Sequence, residues 1–112
     1  MGRPRFRYRY EIPKTVVEIV CSICADYERR ELAIKHSNIT GEILSRYVEL
    51  NEAIESSLVA CDARVKEYII MDVAEGRGYD FSPCSTLVAK NTYYESKRRF
   101  IYEVAKKINL LP

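Results

Sequence analysis

Apolar residues recur every three or four positions through most of this chain, and that spacing restricts it to helices. Val16, Val20, Ile23, Cys24, Tyr27 and Ile34 predict a first helix over about residues 14–36. Pro13 stands at its first turn, where a missing N–H is harmless. The run SNITG, 37–41, is a break of stopping and capping residues. A second stripe, Ile43, Tyr47, Leu50, Ile54 and Leu58, predicts a helix over 42–58. Two amphipathic helices joined by so short a turn make an antiparallel hairpin, here spanning 13–58.

A third helix is expected over 62–75, capped by Asp62, carrying Val65, Tyr68, Ile69 and Val73, and ended by Gly76. GRGYDFSPCS, 76–85, has two glycines and a proline and cannot be a long helix; STLVA, 85–89, has room for one turn or two. Thr92 followed by Glu95 forms a capping box, which places the start of the last helix there, with Ile101, Val104, Ala105 and Ile108 inside. Strict alternation occurs only in MGRPRFRYRYEI, 1–12, which has no strand to pair with and reads as an extended basic arm. The expected fold is thus all-α: the arm, then one helical domain over 13–112.

A chain of 112 residues supports one core and no second domain. No apolar run approaches the eighteen residues that a membrane span needs, so no membrane partner is expected. The N-terminal arginines precede no apolar stretch, unlike a secretory signal, and a cytoplasmic location is expected. Cys21, Cys24, Cys61 and Cys84 would then be reduced thiols. Cys21 and Cys24 form a C-x-x-C pair, but Cys61, Cys84 and His36 are scattered, and Cys24 lies on an apolar helix face. Neither a metal nor a cofactor is expected. Nucleophile elbows, zinc-protease motifs and phosphate loops do not occur, which argues against an enzyme.

The net charge of +2 conceals a segregation. Residues 1–14 hold five bases and one acid, residues 15–89 seven bases and thirteen acids, and residues 90–112 six bases and two acids. Two basic ends around an acidic middle give a field that steers a polyanion to one side. The arm alternates Arg3, Arg5, Arg7 and Arg9 with Phe6, Tyr8 and Tyr10. Arms of this type track phosphates or enter a minor groove.

A DNA-reading helix needs base-reaching donors in its leading turn and phosphate anchors behind them. Asn91, Thr92, Tyr93 and Ser96 offer the former, and Lys97, Arg98 and Arg99 the latter. Double-stranded DNA is the expected partner, with RNA polymerase or a second copy on the acidic side. The alternative is an interaction module that uses its basic ends to inhibit a host nucleic-acid enzyme.

From about Leu50 to Leu111 the chain resembles the helix-turn-helix regulators of bacteriophage late operons, the RinA/ArpU type, which are similar to region 4 of sigma factors. The carrying features are a helix ending in Gly, a linker with GY, and KNTYYESKRRFIYEVAKKI. The resemblance implies a helix-turn-helix-like unit over 62–111, a transcriptional regulator of phage or mobile-element origin, and a DNA-reading last helix. It places contacts at Asn91, Thr92, Tyr93, Ser96, Lys97 and Arg99. One departure stands out: DFSPCSTLVA replaces the family's regular first motif helix, and an interior Pro costs ~3 kcal/mol, so any helix there must begin after Pro83 and be short.

Overall fold

The computed structural model describes residues 11–36 and 39–112, and among them every regular element is helical. Five α-helices follow in order: α1 Lys14–Ala25, α2 Tyr27–Lys35, α3 Gly41–Ser57, α4 Lys66–Glu75 and α5 Lys90–Lys107. Short 3₁₀ turns lie at Leu58–Ala60, Tyr79–Phe81 and Pro83–Thr86. α1 lies chiefly on α4 and also touches α5, while α2 lies on α3 and α3 on α5. The helix pair expected over 13–58 is therefore partitioned: only α2 packs along α3, and α1 joins α4.

The partition follows from a break at Asp26, whose φ of −102° and ψ of 9° interrupt the expected 14–36 helix. Arg30 stitches the break from within the protein. Only 3% exposed, it donates through Nε to Asn51 Oδ1 at 2.7 Å and through a terminal nitrogen to the Ile23 carbonyl at 2.6 Å. Asn51 in turn donates to the Tyr27 carbonyl at 3.2 Å. A buried guanidinium is tolerable only when its donors are satisfied, and here it takes up a carbonyl at the helix break. Asp26 adds a carboxylate 3.7 Å from Arg30.

One apolar core unites the helices, with Val20, Ile54, Val65, Ile69, Val73, Phe100 and Val104 fully enclosed. Ile12, before α1, packs against it. The end of α4 matches its sequence signal. Gly76 takes the left-handed conformation (φ 68°), its N–H bonding the Val73 carbonyl while Arg77 N–H bonds that of Asp72 at 2.9 Å. This is the Schellman pattern, in which a glycine without a Cβ turns the chain.

The starts of α4 and α5 differ from expectation. Asp62 accepts the Arg64 N–H at 2.9 Å in a preceding turn, and α4 begins only at Lys66. α5 begins at Lys90, behind Ala89, so Thr92 is already inside the helix and forms no cap. Between α4 and α5 the chain makes two 3₁₀ turns, the second opened by Ser82, whose Oγ accepts the Cys84 N–H at 3.0 Å. Pro83 occupies the first position of that turn, where its ring fits and its absent N–H leaves no bond unmade.

Candidate nucleic-acid interface

α5 has two faces with opposite tasks. Its inner row is Tyr93, Ser96, Phe100, Ile101, Val104 and Ala105, all buried. Tyr93 is 0% exposed and its hydroxyl donates to Asp72 Oδ2 at 3.0 Å, with the Arg77 carbonyl 3.3 Å away. Burial, and then the carboxylate beside it, pushes the Tyr93 phenol above its usual range. Asp72 is itself fully enclosed on α4. It accepts from Ser82 Oγ as well and pairs with Arg77 at 3.3 Å. One carboxylate thus joins α4, the 3₁₀ segment and α5.

Further bonds fasten the 77–88 segment to the leading turns of α5. Lys97 Nζ donates to the Arg77 carbonyl at 2.5 Å and sits 5.7 Å from the Tyr93 ring centre. Tyr94 accepts the Tyr79 N–H at 3.0 Å. Tyr79 donates to the Val88 carbonyl at 2.7 Å. The three rings meet edge to face, Tyr79 with Tyr93 at 5.6 Å and Tyr93 with Tyr94 at 5.1 Å. Nine of the chain's twelve aromatic residues are tyrosine, and these contacts account for part of that excess: an apolar ring with a hydroxyl tip can pack and bond at once.

The geometry corrects three of the expected DNA contacts. Tyr93 and Ser96 point inward, Ser96 Oγ accepting the Asp62 N–H at 3.0 Å, so neither can reach a base. Lys97 is half-buried and its ammonium is committed to a carbonyl. The cause is helix phase: at three- and four-residue spacing Tyr93, Ser96 and Phe100 continue the row of Val104, which faces the core.

The outer face retains the others. Asn91 and Arg98 are exposed, Thr92 is half-exposed, and Arg99 is half-exposed with Glu95 at 3.5 Å. Lys106, one of the six bases of residues 90–112 and not among the expected contacts, is exposed with Nζ 5.5 Å from the Tyr102 ring centre. At 100° per residue Asn91, Arg98, Tyr102 and Lys106 form one stripe, about 22 Å long at 1.5 Å per residue. The signal for Lys106 was available in its spacing of eight from Arg98, two helical turns on. Arg3, Arg5, Arg7 and Arg9 lie outside the described residues.

Among the described residues, no group of three or more His, Cys, Asp or Glu side chains converges as a metal centre requires. Burial holds the Cys24 thiol up at about 12 and Cys61 at about 11, so both are protonated and poor nucleophiles. No protein-family model, curated protein or solved structure matches this chain.

Proposed function

We propose that the protein is a transcriptional regulator that binds double-stranded DNA through the outer face of α5. Arg98, Arg99 and Lys106 contact phosphates, Asn91 and Thr92 at the leading turn reach base edges, and the arginines of the arm add phosphate or minor-groove contacts. The observation that carries this reading is the stripe of exposed Asn91, Arg98 and Lys106, with half-buried Tyr102 among them, on a helix whose opposite side is anchored in the core. A basic stripe on a rigid element is the electrostatic footprint of nucleic-acid binding. The resemblance to the phage late-operon regulators agrees in making this last helix the reader. RNA polymerase would meet the acidic side.

Mobility shift with random and phage-derived duplexes tests it. Arg98→Ala with Lys106→Ala weakens binding to all duplexes, and Asn91→Ala changes the order of preference among them. Retention identical to wild type in both variants would contradict the proposal.

A second reading has its own observation. No first motif helix precedes α5, and the 3₁₀ segment there holds Phe81 at 81% exposure beside Asp80. That knob suits a small inhibitor of a host nucleic-acid enzyme. Loss of inhibition on Phe81→Ser, with DNA retention absent in wild type, would favour it.

A further inference from the structure

The α2–α3 pair runs antiparallel, with Tyr27 bonding Glu55 and Arg30 bonding Asn51. Beyond the Arg30–Asn51 bond, the character of the pair changes. Not one of the described residues from Glu31 to Leu50 is buried. Yet the stretch is rich in large apolar side chains: Leu32, Ile34, Ile39, Ile43, Leu44 and Val48. None of these six joins the core or packs against it, and Leu32 and Ile43 are each 55% exposed. Two helices alone cannot cover both of their apolar sides, which is why helical hairpins are completed by further helices. Among the described residues nothing else buries this stretch.

We propose that this overhang is a dimer interface, in which the α2–α3 pair of a second copy completes a four-helix arrangement. Charge favours a second copy over another partner. The overhang is nearly neutral, with Glu31, Glu42 and Glu49 against Lys35 and Arg46, so two copies do not repel. Glu42 and Arg46 also lie one turn apart on either side of Ile43–Leu44. A two-fold axis passing there sets α3 antiparallel to its counterpart and brings Glu42 of each copy to Arg46 of the other. Isologous contacts of this self-complementary type are the commonest route to dimers. This interface is independent of the DNA reading, since none of its residues belongs to α5.

Sedimentation velocity on the full chain without DNA, across roughly 1 to 300 µM to cover a micromolar Kd, tests it. Wild type is expected to pass from monomer to dimer as concentration rises. Ile43→Glu, an exposed site near the acid-tolerant N-terminus of α3, should remain monomeric with an unchanged helical circular dichroism spectrum. Glu42→Arg or Arg46→Glu alone should weaken the dimer about tenfold, a 1.4 kcal/mol effect, and the double exchange should restore it. A chain that stays monomeric throughout, including one whose overhang binds some other protein, would overturn the proposal. So would a dimer indifferent to Ile43→Glu, or a double exchange no better than the singles.

Discussion

The two sides of α5 carry similar residue types and do opposite things. On the inner side Tyr93, Ser96 and Lys97 spend every polar atom on other parts of the chain, each finding a carbonyl, carboxylate or N–H. On the outer side Asn91, Arg98 and Lys106 stand in solvent. The lesson concerns polar residues on a helix: their chemistry says what they can bond, and only the helix phase says whether the partner is internal. Here Tyr93, seven residues before Phe100 and so on the same side of the helix, is a structural strut and not a base reader.

Substitutions along α5 sharpen that contrast, beginning with the largest expected loss. Phe100→Ala, on the enclosed row, should cost ~3–5 kcal/mol in chemical denaturation, since the cavity adds to the lost transfer energy. Asp72→Ala leaves the Tyr93, Ser82 and Arg77 donors around an empty site, and stripping one side from a buried charged network costs ~3–5 kcal/mol. Tyr93→Phe keeps the ring and removes one donor to that carboxylate, for about 1.5–3 kcal/mol. Arg98→Ala should stay within about 0.5 kcal/mol of wild type, as exposed sites do. If Arg98→Ala destabilised as much as Tyr93→Phe, the two sides of the helix would not differ as described.

The same division has a pH signature. Burial raises the thiols of Cys24 and Cys61 and the phenol of Tyr93 above their ordinary values. A raised folded-state pKa contributes stability that is complete below the unfolded value and is lost as pH rises through it toward the folded one. Unfolded thiols ionise near 8.5 and phenols near 10. The denaturation midpoint should therefore begin to fall above about pH 8.5 and fall faster above about pH 10. Cys24→Ala should lower the midpoint overall but flatten the first part of the decline, which urea titrations from pH 7 to 11 would register. An unchanged slope in that variant would remove Cys24 from the explanation. In acid, Asp62, held down at about 2 by Arg64, contributes above the usual carboxylate range and fades as pH falls toward 2.

Much of the helical framework was legible because apolar periodicity reports which face is covered. The lower part of the α3 stripe, Leu50 and Ile54, and the glycine stop at Gly76 are cases where local pattern and tertiary structure agree. The break at Asp26 was not legible, since Val16 to Ile34 keep a helical beat straight across it. What divides α1 from α2 is the buried Arg30 and its bond to Asn51, 21 residues away, a relation no local pattern contains. The Asp72 network did leave a trace: an acid on the stripe of Val65, Ile69 and Val73 must find donors, and tyrosine is the residue in excess. The start of α5 was misplaced because Thr92 and Glu95 satisfy a capping pattern, while Ala89, which has no capping side chain, begins the helix in fact.

The most direct test of the account is the salt dependence of duplex binding by wild type and by Arg98→Ala/Lys106→Ala. Each phosphate neutralised contributes about −0.9 to the slope of log K against log salt. Wild type should show a steep slope that becomes shallower by about 1.8 in the double variant, with the denaturation midpoint unmoved. Slopes that coincide, or wild-type binding that ignores salt, would contradict it.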